Sequence, residues 1–198
     1  MANVTPVFKK GSRSTLTNYR PISLTSLPCK IFESILKEKI VEHLDTHRLL
    51  NDSQHGFISH KSCTSNLLEY LEFVTNAIDS GQNVDSIYLD FSKSFDKVPH
   101  KRLLLKLCSF GISGKILKWI SEWLQGRMQR VVASGYKSSW ANVLSGVPQG
   151  SVLGPLLFIM YINDLDSSVK CGISKFADDT KIFQAISSED GHNTLQLG

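Results

Sequence analysis

Asp178 and Asp179 stand side by side in Lys175-Phe176-Ala177-Asp178-Asp179-Thr180-Lys181-Ile182-Phe183, and Asp90 closes the run Ser86-Ile87-Tyr88-Leu89-Asp90. Two carboxylates at the tip of an apolar hairpin repel each other, and a fold that keeps them close needs a cation to offset the repulsion. A third acid at the end of another apolar strand completes an oxygen shell suited to a hard divalent ion. Protein carboxylates plus substrate phosphate oxygens are the usual shell for magnesium where phosphoryl groups are transferred. The implied chemistry is metal-dependent phosphoryl transfer. Turn chemistry alone offers a simpler account, because Asp is a common turn residue.

The elements that must position these acids follow from periodicity. The opening, through about Pro28, is rich in Ser, Thr, Asn and Pro and reads as extended or looped. Ile31, Phe32, Ile35, Leu36, Ile40 and Leu44 recur with helical period over 30–44, and Leu67, Leu68, Leu71, Val74 and Ile78 do the same before Gly81. Residues 86–91 read as a strand. Helices are expected at 101–109 and at 113–124, the latter with Ser113 as N-cap. Residues 129–133 and 140–144 read as paired strands around Gly135. The turn-rich Ser145-Gly146-Val147-Pro148-Gln149-Gly150 leads into a buried helix with Pro155 near its first position. Residues 173–177 and 180–183 close as a hairpin with both aspartates at its turn.

A chain of 198 residues with 41% hydrophobic and 20% charged residues buries a real core and is not disordered. Cys29, Cys63, Cys108 and Cys171 are far apart and form no CxxC pair, which argues against a zinc site or a disulfide framework and for reduced thiols. The first residues lack the apolar run of a signal peptide. The longest apolar stretch, 152–162, is too short to span a bilayer and is interrupted by Gly154 and Pro155. Localisation is therefore open between cytoplasm and nucleus, and no membrane partner is expected. The net charge of +4 is unevenly spread: residues 1–30 carry +5 and residues 101–137 carry +7. Such segments suit a protein that holds a polyanion, although a charge run is also an ordinary solvated face. Trp119, Trp123 and Trp140 read as core rather than as base-stacking platforms.

Five stretches occur in a characteristic order. They are Asn18-Tyr19-Arg20-Pro21-Ile22-Ser23-Leu24, Gln54-His55-Gly56-Phe57, Leu89-Asp90-Phe91-Ser92-Lys93-Ser94-Phe95-Asp96, 145–155 from Ser145-Gly146-Val147-Pro148-Gln149-Gly150 through Pro155, and Phe176-Ala177-Asp178-Asp179. Taken together they resemble the reverse transcriptase of non-long-terminal-repeat retrotransposons, LINE elements of the jockey and chicken-repeat type. The resemblance implies an α+β right-hand polymerase fold, with an antiparallel palm sheet packed on helices. It divides the chain into a fingers-like segment, 1–86, and a palm-like segment, 87–198, with the thumb absent.

The implied activity is RNA-directed DNA polymerisation, joining a deoxynucleoside triphosphate to a primer 3′-hydroxyl. The implied cofactor is a pair of magnesium ions, with manganese as the alternative. Asp90 and Asp178 are the implied ligands, joined by the backbone carbonyl of Phe91, with Asp179 beside them. Phe95 takes the position of a steric gate under the incoming sugar. Gln149 and Gly150 match the segment that lies along nucleotide and template, and Arg20 matches a basic residue of the fingers near template or triphosphate. The implied partners are an RNA template, a DNA primer and the triphosphate. The match departs from the family at Ile58-Ser59-His60-Lys61-Ser62-Cys63, where a basic run is usual. It also breaks off at both ends, so endonuclease and thumb regions are expected from flanking sequence. Asp96 and His100 are expected to shape the strand exit through local hydrogen bonds. Two rivals remain open: a catalytically dead piece that only binds nucleic acid, and a different two-metal enzyme such as a nuclease.

Overall fold

The computed structural model describes residues 1–186; residues 187–198, the end of the palm-like segment, lie outside it. Among the described residues, besides three short 3-10 helices, the α-helices and β-strands follow in chain order: β1 Ala2–Phe8, β2 Tyr19–Leu24, α1 Leu27–Thr46, α2 Cys63–Asp79, β3 Asn83–Asp90, α3 His100–Ser109, α4 Gly114–Leu124, β4 Met128–Ala133, β5 Tyr136–Lys137, β6 Ala141–Asn142, α5 Gly154–Tyr161, β7 Gly172–Phe176 and β8 Asp179–Ile186. The fold is mixed α and β. The chain divides into two compact units, Met1–His47 with Lys93–Phe158, and Arg48–Ser92 with Ile159–Gly198. Both are discontinuous in sequence.

In the first unit, the opening is more regular than its composition suggests. β1 and β2 pair antiparallel from Asn3↔Leu24 to Phe8↔Tyr19, and β1 also pairs in parallel with β4. β5 and β6 both pair antiparallel with β4, giving the order β2-β1-β4-β5 with β6 beside β4. The expected strand 140–144 shortens to β6, and the tight turn at Ser134-Gly135 uses positive φ at both residues. Ser113 does occupy the N-cap of α4, but its side chain makes no capping hydrogen bond.

The apolar faces expected for the two long helices are corrected. In α1 the buried positions are Glu33, Ile40 and Leu44, while Ile31 and Ile35 are exposed. The reason is polar: the Glu33 carboxylate is 0% exposed because it accepts the backbone N–H groups of Val152 at 2.7 Å and Leu153 at 3.0 Å. It thereby satisfies donors that the start of α5 would otherwise leave unpaired. In the second unit, α2 is rotated away from its leucines. Leu67, Leu68 and Leu71 are exposed, whereas Asn66 bonds Ser174, Tyr70 bonds Ser86, and Tyr70 and Phe73 pack edge-on or tilted against Phe183. Hydrogen bonding to the sheet and aromatic contact select that face over the leucine stripe. A capping box at Ser62 and Ser65 starts α2.

The apolar stretch expected as a buried helix forms α5, whose Leu156 through Met160 are all at most 2% exposed. No helix among the described residues is long and apolar enough to cross a membrane. The second unit is built on a three-stranded antiparallel sheet in the order β3-β8-β7. The tryptophans are not core: Trp119 and Trp123 are half-buried and stack on each other, and Trp140 is 37% exposed beneath Arg130.

Candidate active site

Strand register decides where the acids meet. β3 and β8 pair from Asn83↔Ile186 to Asp90↔Asp179, so Asp90 and Asp179 are directly opposed and their side chains share a face. The hairpin closes one step further on, with Phe176↔Asp179 as its last pair. Its two-residue turn is therefore Ala177-Asp178, and Asp179 opens β8 instead of sharing the turn. Phe91 follows directly and is 40% exposed. All four residues lie within the second unit.

The electrostatics match this geometry. Burial pushes the Asp179 carboxyl above the usual aspartate range, and the charges of Asp178 and Asp90 push it further. Among the described residues, no three His, Cys, Asp or Glu side chains are gathered into a metal-holding cluster. The three acids instead line one end of the sheet. The donor set still fits a hard divalent ion, because it offers only carboxylate oxygens and carries a mutual repulsion that a cation would relieve.

What pins the turn comes from far away in sequence. The Gln54 side chain accepts the N–H of Ala177 at 2.9 Å and of Gly56 at 2.8 Å. The backbone of 53–55 runs beside β7, with Lys175 N–H bonding Ser53 at 2.7 Å and His55 N–H bonding Lys175 at 2.8 Å. Gly56 is required by proximity: a Cβ there would sit 2.3 Å from the Ala177 nitrogen. Ala177 itself has φ +56°, a conformation that costs a non-glycine residue energy and that the Gln54 bonds hold in place. Beneath the hairpin, Lys175 is 0% exposed and ion-paired with Asp166, which also accepts from the Ser53 hydroxyl. The sequence singled out Gln54-His55-Gly56-Phe57 as a motif but gave it no task. A Gln two residues before a Gly was the signal, and its meaning needed the partner strand.

The other predicted site residues belong to the first unit. Here the loop 145–150 is fixed by its backbone. Ser23 N–H donates to the Gln149 carbonyl at 2.7 Å, Gly146 N–H to Val98 at 2.8 Å and Val147 N–H to Phe95 at 2.8 Å. Gly146 has φ +87° and passes so close to Asp96 that a Cβ would meet its Cα at 2.7 Å; at Gly150 a Cβ would meet the Ser23 carbonyl at 2.8 Å. Asp96 accepts the Gln149 amide at 3.0 Å, and the His100 ring lies 2.8 Å from the Gly146 carbonyl. These two residues therefore do shape the chain by hydrogen bonding, but across to the loop and not locally. Phe95 is half-buried and stacks on Phe158 with centroids 4.2 Å apart. Arg20 is exposed on β2, opposite Val7.

The order of motifs has a counterpart among known proteins. Residues 7–196 match the family model described as reverse transcriptase (RNA-dependent DNA polymerase). The chain belongs to the reverse transcriptase family. Its reverse transcriptase relatives include a probable RNA-directed DNA polymerase from transposon X-element of Drosophila melanogaster, 34% identical over 82% of this chain and 18% of that protein. The jockey RNA-directed DNA polymerase of Drosophila funebris is 30% identical over 83% of this chain and 18% of its own length. The chain thus spans about a fifth of the curated relatives it matches. Among solved structures, a telomerase from Candida tropicalis superposes with a TM-score of 0.71 at 14% identity, covering 98% of this chain and 45% of that one. Reverse transcriptases generally use divalent metal ions.

Proposed function

We propose that the chain is the catalytic part of an RNA-directed DNA polymerase of a non-long-terminal-repeat retrotransposon. It would extend a DNA primer on an RNA template by nucleotidyl transfer from a deoxynucleoside triphosphate. The observation that carries this reading is the register Asp90↔Asp179 directly beside the Asp178 turn, in a chain of this family. Asp90, Asp178 and the Phe91 carbonyl are the proposed metal donors, with Asp179 completing the acidic end. When bound, two divalent ions, magnesium with manganese as the alternative, supply an acidified primer hydroxyl and charge neutralisation on the triphosphate.

The residues of the chain do the positioning. Short Asp side chains on a paired strand end and a pinned turn hold their oxygens close to rigid backbone. Phe95, supported from one side by Phe158, presents a stiff ring suited to rejecting a ribose 2′-hydroxyl. Gly150 allows backbone to approach a nucleotide, Gln149 offers an amide already oriented by Asp96, and Arg20 offers an exposed guanidinium for phosphate. The segment 1–86 takes the fingers-like role and 87–198 the palm-like role along the sequence, a division supported by motif order.

A second reading, nucleic-acid binding without chemistry, is favoured by the basic segments 1–30 and 101–137. Primer extension on an RNA template separates the two. Magnesium-dependent extension that falls by about 10³-fold in Asp178→Ala, with RNA binding intact, supports the polymerase. No extension by the unaltered chain, with salt-sensitive RNA binding retained, supports the second reading.

A further inference from the structure

The second unit buries an imidazole that the acidic end does not use directly. His55 is 4% exposed, and both of its ring nitrogens meet α2. Nε2 lies 2.7 Å from the Glu69 carboxylate and Nδ1 lies 2.9 Å from the Ser65 hydroxyl. A carboxylate only accepts, so Nε2 is the donor to Glu69. Ser65 and Glu69 stand one turn apart on the helix, so a single rigid face holds the ring at two points. Ser65 is fixed in turn, because it closes the capping box with Ser62.

A buried histidine with bonded nitrogens is ordinarily plain core. What sets His55 apart is its place between two residues that touch the hairpin turn. Before it, the Gln54 side chain accepts the Ala177 N–H at 2.9 Å and donates to the Ala177 carbonyl at 3.4 Å. After it, Gly56 passes so close that a Cβ would sit 2.3 Å from the Ala177 nitrogen. The His55 N–H bonds the Lys175 carbonyl at 2.8 Å, and the same carbonyl accepts the Asn66 amide of α2 at 3.2 Å. Ala177 holds φ +56°, which relaxes unless its surroundings forbid it. The Gln54 grip is itself carried by an irregular segment, and that segment is made rigid by the ring clamped to α2.

We propose that His55 is a positioning residue for the acidic end: by fastening residues 54–56 to α2 through Glu69 and Ser65, it fixes the Gln54 grip and, through it, the place of Asp178. The catalytic consequence rests on the polymerase reading above; the structural one does not.

The test reads both consequences in the whole chain. Amide hydrogen exchange at Ala177 is measured without metal or nucleic acid, with Ile182 at the centre of the sheet as reference, and primer extension is measured separately. His55→Ala should speed exchange at Ala177 by about tenfold while Ile182 stays unchanged. It should lower kcat by about 10–100-fold, with KM for the triphosphate unchanged. Gln54→Ala and Gln54→Ala/His55→Ala should match each other in both measurements, the mark of one residue acting through the other. Glu69→Ala, which alters a half-exposed partner, should shift Ala177 in the same direction by a smaller factor. Glu69→Gln should restore it, because its carbonyl oxygen accepts the same Nε2–H.

Unchanged exchange at Ala177 in His55→Ala, equal acceleration at Ala177 and Ile182, or losses that add in the double variant overturn the proposal. Where His55→Ala does not fold, the Glu69 pair decides: Ala177 moved by Glu69→Ala and restored by Glu69→Gln supports it, and Ala177 indifferent to both overturns it. A chain that extends no primer yet shows the exchange pattern refutes the polymerase reading and leaves the clamp standing. A chain that extends primers with Ala177 unmoved does the reverse.

Discussion

The acidic end of the second unit and the loop 145–150 of the first are both sharp bends held by distant partners, but they are held by opposite means. At the acidic end a paired hairpin is pinned at its turn by the Gln54 side chain, and charge carries the tension: beyond the effect of burial, Asp178 and Asp90 both push the Asp179 carboxyl towards its neutral form. In the loop, the peptide backbone itself carries the shape. Its N–H and carbonyl groups bond β2 and the segment 95–98, and two glycines pass within contact of other main chain. The first arrangement suits chemistry on a charged substrate, where the field matters. The second suits a surface that must keep its contour, where shape matters.

That contrast can be broken most forcefully at the acids. Asp90→Ala and Asp178→Ala should each remove primer extension by about 10³-fold while leaving thermal unfolding nearly unchanged. Loss of folding in either would show that the acids hold structure and not a substrate. The next largest effects belong to the glycines. Gly56→Ala forces a methyl against the Ala177 nitrogen and should cost about 1–3 kcal/mol in urea unfolding, with kcat lowered through the turn. Gly146→Ala adds backbone strain at φ +87° to its clash with Asp96 and should cost a similar 1–3 kcal/mol or so, but with KM raised. A KM-against-kcat split in the reverse sense would erase the distinction between the two regions.

Glu33→Ala comes third, leaving two buried N–H groups unpaired at a cost of about 1–3 kcal/mol, with Glu33→Gln recovering part of it. The smallest effect is at Asp179. Because its folded pKa is raised, its contribution to stability is present at low pH and lost as pH rises through that folded value. Asp179→Asn lacks this decline, so melting curves should show it slightly more stable than the unaltered chain at neutral pH and equal to it in acid. Magnesium should narrow the neutral-pH difference by stabilising the unaltered chain.

Local signals told most of the element list. Helices α1, α3, α4 and α5 and the hairpin of β7 and β8 lie within a few residues of where periodicity and turn residues put them. Local signals failed where a polar group outbid an apolar stripe. Glu33 is buried because α5 needs its carboxylate, and α2 turns Asn66 and Tyr70 inwards because Ser174 and Ser86 await them. Neither partner is visible from within the helix. For the candidate site, residue types and order foretold a placement on turns or strand ends, which is where the acids, Gln149 and Gly150 stand. The role of Gln54 and Gly56 was not, because it depends on a strand that the chain reaches much later.

That separation sets a timetable for folding. Gln54 and Ala177 are 123 residues apart, and their bonds close one of the longest loops in the chain. Helices such as α1 and α2 can nucleate locally, whereas the pinned turn must wait for both ends of that loop to be made and brought together. Asp90 is therefore made before Asp178 and Asp179, and the acidic end of the sheet is complete only once the hairpin of β7 and β8 pairs with β3.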